Sequence, residues 1–300
     1  NQAENTLAII SVPDKSVEGQ IETAQGPFGV VFDESVAYIT NQKSNLVQVF
    51  DLNNFTLIAS IPVSSAPRGM SLSKNKNTLF VTHFSSGEIS VIDTAQLSVI
   101  KIISLGSRAG LTQAFVIDEG EAVAYVPNTM RNSDNKNLIF DNTVFPFVSI
   151  IDLNKLSHLR EERIALDIID KPVGLPLEAA LQNSILYVAN AASNDLTIID
   201  LKSKKSLAHV EVGSFPSGID ISESGREIYI HNSLDGTISV VDTEAFIVSS
   251  VIESTVISAS SAVLNGQKLF HSSDDTRMSK DQWIACATCH FGGEADNVNW

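Results

Sequence analysis

Cysteine and basic residues are scarce in this chain, and long apolar runs are absent. Among 300 residues there are two cysteines, too few to supply the second Cys/His pair that a zinc site would need. Twenty Lys and Arg face 35 Asp and Glu, which gives a formal net charge of −15. Such an acidic chain is a poor ligand for nucleic acid, whose phosphates need basic partners. No apolar run reaches the roughly 18 residues of a membrane-spanning helix.

An internal repeat organises residues 1 to about 255. The segments "GMSLSKNKNTLFVTHFSSGEISVIDT" and "GIDISESGREIYIHNSLDGTISVVDT" show the pattern, in which short β-branched runs alternate with polar turns and close on Asp. The closing residues Asp51 and Asp93 are 42 positions apart, and so are Asp200 and Asp242. A further apolar strand follows each closing Asp. Four strands per unit at this period predict an all-β fold, a β-propeller of four-stranded blades.

The second strand of each unit ends in a recurrent pattern, seen as "AYITN", "LFVTH", "AYVPN", "LYVAN" and "IYIHN". This pattern resembles the YVTN type of β-propeller over most of residues 5–253. We interpret its recurring residues as structural. Glycines are expected to let the innermost strands pack closely, at Gly29, Gly69, Gly174 and Gly218. Asparagines are expected to bond the backbone of the following turn, at Asn41, Asn128, Asn190 and Asn232. His83 replaces Asn in that slot, and we interpret it as a turn-capping residue rather than a metal or haem ligand.

Five complete units are predicted, at 27–63, 67–105, 108–166, 172–213 and 216–253. Residues 5–23 supply only two outer strands of a further unit. Since propellers hide their sheet edges by closing the ring, either the natural protein continues beyond both ends of this chain or an unusual closure is used, and we favour the first. The predicted domain boundary separates a propeller, 1–255, from a C-terminal part, 256–300.

The C-terminal part contains both cysteines, in Cys286-Ala287-Thr288-Cys289-His290. Cys-x-x-Cys-His is the attachment signature of c-type haem. Cys286 and Cys289 are spaced to add to the two vinyl groups of the porphyrin, and His290 is placed as the axial ligand of the iron. A chance CxxC followed by His is the plain alternative. A thioredoxin-like redox pair would need a βαβ context, which this sequence lacks.

The residues around this motif extend the pattern. "GQKLFHSSDDTRMSKDQWIACATCHFGGEADNVNW" resembles the first haem segment of the dihaem cytochrome c peroxidase and MauG-like family, in the branch fused to a β-propeller. The resemblance covers about residues 261–300, with Asn297 where that branch usually has Gly. It implies that Gly266 to Phe270 lie in the opening helix of a truncated, α-helical cytochrome c domain. It also implies haem attachment outside the cytoplasm, in a periplasmic or extracellular protein.

An insertion of about 17 residues lengthens the third unit, between Asn128 and Phe147. Long insertions in repeat units often form binding surfaces. Most side chains of this insertion are expected to be solvated, and our hypothesis is that the loop packs on the cytochrome part, with Arg131 near a haem propionate. Its polar cluster is a weaker candidate for Ca²⁺, since it lacks the EF-hand spacing and bidentate Glu. The cluster comprises Asn132, Asp134, Asn135, Asp141 and Asn142.

The distal ligand of the iron is not identified by the sequence. Met278 is a weak candidate because it precedes Cys286 by only eight residues, whereas distal ligands of c-type domains generally lie well downstream. Met70, Met130 and His271 are no stronger, and a ligand beyond Trp300 is favoured. Trp283 and Trp300 are interpreted as packing aromatics rather than electron relays.

Three functions remain open at this stage. The favoured one is a haem c electron-transfer protein, part of a dihaem peroxidase-like enzyme with a second haem outside this chain. Another is a propeller that docks partners in a larger complex, with the haem as a passive electron wire. The third is a propeller dehydrogenase or reductase that feeds the haem. Whether the chain is an enzyme stays open. A redox partner protein is expected, and a basic one would suit the acidic surface.

Overall fold

The computed structural model describes residues 1–132, 142–166 and 172–293. The chain divides into two compact units, Asn1–Ala124 with Ile151–His158, and Tyr125–Ile150 with Leu159–Trp300. The first unit opens with a two-stranded antiparallel hairpin and continues with two four-stranded antiparallel sheets in meander order. Its first ten strands are β1 (Thr6–Ser11), β2 (Ser16–Glu22), β3 (Pro27–Phe32), β4 (Val36–Asn41), β5 (Leu46–Asp51), β6 (Leu57–Pro62), β7 (Pro67–Leu72), β8 (Thr78–His83), β9 (Glu88–Asp93) and β10 (Ser98–Ser104).

The division between the units runs through the third repeat. Within it, β14 pairs antiparallel with β15 and, further back along its length, with β16. A short 3₁₀ turn, Arg160–Glu162, separates these two outer strands. The strands of this repeat are β11 (Ala109–Gly110), β12 (Val116–Asp118), β13 (Val123–Arg131), β14 (Val144–Asp152), β15 (Ser157–His158) and β16 (Ile164–Ala165).

The second unit contains two more four-stranded meanders and the C-terminal segment. Their strands are β17 (Pro176–Gln182), β18 (Ile185–Asn190), β19 (Asp195–Asp200), β20 (Lys205–Glu211), β21 (Pro216–Ile221), β22 (Glu227–Asn232), β23 (Thr237–Asp242) and β24 (Ile247–Glu253). Helix α1 (Ser261–His271) and the one-turn helix α2 (Cys286–Cys289) follow, with a 3₁₀ turn at Phe291–Gly293. Neither helix has the length and apolar character to cross a membrane, within the ranges described.

These sheets confirm the predicted propeller blades. We refer to β3–β6 as blade 1, β7–β10 as blade 2, β17–β20 as blade 4 and β21–β24 as blade 5. The hairpin β1–β2 confirms the expected partial unit. Its bulge falls between the fourth and fifth residues of β1, as it does in β5 and β23, the third strands of their blades. The hairpin therefore corresponds to the third and fourth strands of a blade.

The core lies between neighbouring blades, because the middle strands of each blade are apolar on both faces. Between blades 1 and 2 a cluster is built on Val47, Leu79 and Val81, which are fully buried. Between blades 4 and 5 the corresponding cluster is built on Leu196 and Ile228. Burial on both faces explains why these strands read as continuous β-branched runs rather than as a strict alternation of apolar and polar residues.

The closing aspartates cap the hairpin turns between the third and fourth strands. Asp93 Oδ1 accepts hydrogen bonds from the backbone N–H of Ala95 and Gln96 at 2.9 and 2.8 Å. Asp242 repeats this with Glu244 and Ala245, and these N–H groups hold the pKa of its carboxyl below the ordinary value. The Asp that ends each repeat is thus an Asx-turn residue, which accounts for its regular spacing.

The recurring asparagines were expected to bond the backbone of the following turn, and this prediction was wrong about the hydrogen-bond partner. Asn232 Nδ2 donates across to Ser239 Oγ on the next strand, at 2.9 Å, rather than to the turn that follows. Asn190 bonds Thr197 in the same way, at 2.7 Å. His83 occupies the same slot in blade 2, where Nε2 lies 2.8 Å from Ser90 Oγ and Nδ1 lies 3.1 Å from Ser65 O. This position therefore ties the second strand of a blade to the third.

Candidate haem attachment site

The two cysteines and the histidine lie together in one turn of helix. α2 begins at Cys286, and the backbone N–H of His290 donates to Cys286 O at 2.9 Å. The Ala285 N–H donates to Thr288 Oγ1 at 3.1 Å, which fixes the start of the turn. Ala287 and Thr288 are buried, so the inner side of the turn is the side that carries no haem-binding group.

The exposure of the three side chains fits a covalently attached porphyrin. Cys286 is exposed, Cys289 is half-buried and neither forms a disulfide. His290 is exposed directly after them. Two thiols on one helical turn, with an accessible imidazole next to them, are the donor set that c-type haem requires. Among the described residues, no group of three or more His, Cys, Asp or Glu side chains converges on a point suited to a metal ion, and this holds for Cys286, Cys289 and His290 too.

The segment that carries this turn is anchored to blades 4 and 5. Asn194, in the turn before β19, donates through Nδ2 to Ser272 Oγ at 3.1 Å and to Asp274 Oδ2 at 2.6 Å. The backbone N–H and the hydroxyl of Ser273 both bond Ala192 O, at 2.8 and 3.2 Å. These bonds hold residues 272–274 as an extra layer on the turns of blade 4.

A second anchor joins α1 to blade 5. Lys268 Nζ pairs with Asp235 Oδ1, and Asp235 Oδ2 accepts the backbone N–H of Ser214. Partial burial raises the pKa of Asp235, but the bonds from Lys268 and Ser214 outweigh it and hold that pKa below its ordinary value. The ring of Phe215 lies edge-on to His271, with centroids 4.7 Å apart, and 6.2 Å from the ring of Phe291. Phe291 follows His290 directly, so blade 5 also contacts the residue that ends the Cys286 to His290 motif.

Sequence reasoning missed Asp235, although the repeat contains the signal. The same turn position holds Ser44 in blade 1 and Ser193 in blade 4. Each serine hydroxyl accepts a backbone N–H from the preceding loop, from Gln25 at 2.9 Å and from Gly174 at 3.1 Å. In blade 5, Asp235 Oδ2 accepts the corresponding backbone N–H, from Ser214, and Asp235 Oδ1 pairs with Lys268. At this turn position the repeat therefore has Asp instead of Ser in the blade that contacts α1.

The other residues that the sequence singled out between 261 and 293 lie in α1 and in the turns that follow it. Gly266 and Phe270 lie in α1, as expected. Trp283 is buried, at 9% exposure, which favours packing as its role. Met278 is 57% exposed, in a turn closed by its N–H bond to Asp275 O, and its role as a distal ligand stays a prediction. Arg277 forms a bidentate pair with Asp275 and lowers the pKa of that carboxyl to about 2.

The insertion of the third repeat is described only in part. Arg131, at the end of β13, is buried at 6% exposure, and its contact with a haem propionate stays a prediction. At the base of the insertion, Asn132 Nδ2 donates to Asn142 O at 3.1 Å. The other three residues of the candidate calcium cluster, Asp134, Asn135 and Asp141, lie outside the described residues. So do Asn297 and Trp300.

Comparison with known proteins supports the fold. No protein-family model matches the chain, and no curated protein matches it in sequence. Among solved structures, it is similar to hydrazine synthase from Kuenenia stuttgartiensis, with a TM-score of 0.57 and 17% identity over 81% of this chain and 91% of that one. It is also similar to the dihydro-heme d1 dehydrogenase NirN in complex with DHE, with a TM-score of 0.55 and 13% identity. That match covers 85% of this chain and 62% of NirN. At these identities the likeness defines a β-propeller and nothing finer.

Proposed function

We propose that this chain is a haem c electron-transfer protein in which propeller blades hold a cytochrome-type segment in place. Cys286 and Cys289 would bind the porphyrin through thioether bonds, and His290 would be the axial ligand. A bound haem supplies reversible one-electron chemistry at its iron. The observation that carries the proposal is the single turn that brings together an exposed thiol, a half-buried thiol and an exposed imidazole.

The contribution of the protein is to fix the position of that turn. Asn194 and Ala192 bind residues 272–274, and Asp235 pairs with Lys268. Phe215 contacts the rings of His271 and Phe291. A fixed position suits electron transfer because the donor and acceptor need not search for a productive geometry. The similarity to a dehydrogenase that acts on dihydro-heme d1 supports the use of a propeller as a scaffold for haem chemistry.

The finer proposal is a dihaem peroxidase-like redox protein of the YVTN-propeller type. It rests on the pattern of residues 261–300, since a fold alone does not define an activity. A periplasmic or extracellular location, a second haem outside this chain and a basic redox partner belong to the same proposal. A passive electron wire in a larger complex shares the haem and differs in lacking peroxide turnover.

Expression in a host that matures c-type cytochromes tests the proposal. We expect a pyridine haemochrome spectrum from acid–acetone-extracted polypeptide, and an intact mass raised by one haem. The double variant C286S/C289S should lose both signals, and Thr288→Ser should keep them. Extracted wild-type chain with the bare mass would refute haem attachment. Peroxide turnover by the haem-loaded protein would then distinguish the peroxidase from the electron wire.

A further inference from the structure

A cleft far in sequence from the haem-binding turn is unusual for so acidic a chain, because cations line it. It lies between β16 of the third repeat and the β19–β20 hairpin of blade 4, and its volume is about 410 Å³. Among the residues described, its lining contains three basic side chains and no carboxylate. The lining residues are Arg163, Ile164, Ala165, Ile199, Lys204, Lys205 and Ser206.

Arg163 is held in place by neutral partners. Its guanidinium carbon lies 4.6 Å from the centroid of the Phe147 ring, and one N–H donates to Met130 Sδ at 3.5 Å. Neither an aromatic ring nor a thioether neutralises the positive charge. A guanidinium carries five N–H donors in a planar fork suited to a carboxylate. In the described part of the chain only one of the five is engaged, so the fork is oriented but retains donors for an anion.

The two lysines differ in their pairing. Lys204 Nζ lies 3.1 Å from Oε2 of Glu162, which is outside the lining, in an exposed ion pair that contributes little stability. Lys205 is exposed and has no ion-pair partner among the described residues. The accessible apolar surface of the cleft comes from Ala165, which is half-buried, and from Ile164, at 7% exposure, whereas Ile199 is fully buried. Small-molecule sites combine such a surface with a few placed polar groups.

We propose that this cleft binds a small organic carboxylate, with the carboxylate at Arg163 and Lys205 and the apolar body over Ile164 and Ala165. The proposal does not depend on the haem. An inorganic anion would not use the apolar surface, and a neutral aromatic molecule would not use the cations. The ligand class therefore follows from the presence of both in one cleft.

Ligand-observed NMR titration of the full chain with benzoate tests the proposal, with benzamide as the neutral isostere. We expect benzoate to bind about tenfold more tightly than benzamide, equivalent to about 1.4 kcal/mol. Arg163→Gln and Lys205→Gln should each weaken benzoate binding several-fold. Lys202→Gln, an exposed lysine of the same hairpin outside the lining, is the matched control and should leave binding unchanged.

Lys205→Gln keeps the test decisive if Arg163→Gln fails to fold, because Lys205 is exposed. Equal binding of benzoate and benzamide would overturn the proposal, as would no binding of either. Equal losses in Lys202→Gln and Lys205→Gln would overturn it as well, since they would indicate diffuse attraction of anions to the hairpin.

Discussion

Blade 5 and the segment that follows it are neighbours in sequence but are stabilised by different interactions. In blade 5, Ile228, Ile230 and Val241 are fully buried. Helix α1 has no buried residue and is held to the blade by the ion pair of Lys268 with Asp235. The blade is therefore specified by apolar packing, whereas α1 is attached to it by surface contacts, the Lys268 ion pair and the ring of Phe215 on His271. This difference leaves Cys286 and His290 exposed while the attachment points of the segment stay defined.

The largest expected effect is the difference in stability loss between a core substitution in blade 5 and a surface substitution in α1. Ile230→Ala should destabilise the protein by about 2–5 kcal/mol, because it leaves a cavity in the core between blades 4 and 5. Val263→Ala on α1 should change stability by less than about 0.5 kcal/mol, because Val263 is 54% exposed. Urea denaturation followed by circular dichroism measures both. Equal losses would show that α1 is packed as tightly as the blades.

The same substitution at two glycines should have opposite signs. A Cβ at Gly69 would collide with the carbonyl of Gln113, whereas one at Gly266 in α1 would meet nothing within 4 Å. Gly69→Ala should therefore destabilise blade 2 by about 2 kcal/mol or more. Gly266→Ala should stabilise α1 by about 0.5–1 kcal/mol, since Gly is unfavourable in a helix. Melting temperatures of the two variants would show the contrast, and a destabilising Gly266→Ala would contradict it.

Replacing Asp235 by Ser, the residue of blades 1 and 4 at this position, should weaken the attachment of α1 without destabilising blade 5. Asp235→Ser keeps an acceptor for the Ser214 N–H but removes the partner of Lys268. The expected loss is about 0.5–1 kcal/mol, because both side chains are partly exposed. Hydrogen exchange should accelerate in Ser261–His271 and stay unchanged in β22 and β23. Lys155→Gln, which breaks the exposed pair with Asp152, is the control and should leave α1 unaltered.

The smallest effect concerns the pH dependence of blade 2. Burial lowers the pKa of His83, against the opposing effects of the Ser65 carbonyl and Glu88. The unfolded chain therefore binds a proton more readily than the folded one, and stability is lost as the pH falls below about 6.5. His83→Asn, which restores the residue of the other repeats, should flatten this dependence in urea midpoints measured from pH 7.5 to pH 5. An unchanged slope would assign it to other groups.

The blades were predictable because their pattern is local and repeated. Predicted units at 27–63 and 216–253 match sheets that run from Pro27 to Pro62 and from Pro216 to Glu253. The period, the turn residues and the β-branched runs all recur. A wrong strand assignment in one unit would therefore disagree with the assignments in the other units. The Cys286 to His290 motif was recognisable for a similar reason, since its chemistry depends on spacing along the chain alone.

The partners of the recurring asparagines and the cationic cleft were not predictable in this way. Asn232 bonds Ser239 because antiparallel pairing of β22 with β23 brings the second and third strands side by side. Arg163 and Lys205 are 42 positions apart and line one cleft only because the third repeat lies beside blade 4. Such proximity depends on strand register and on packing between sheets, neither of which the spacing of residues reveals.

By itself, the sequence determined the propeller class, and it predicted a haem-binding site at Cys286 to His290, because both patterns depend on short-range order along the chain. Tertiary structure alone decided where that turn is anchored. Asp235, Asn194 and Ala192 meet the C-terminal segment only in the folded arrangement of blades 4 and 5, since their bonds join residues that are 33 to 81 positions apart. Contacts over such distances are set by the folded surfaces and not by any local pattern.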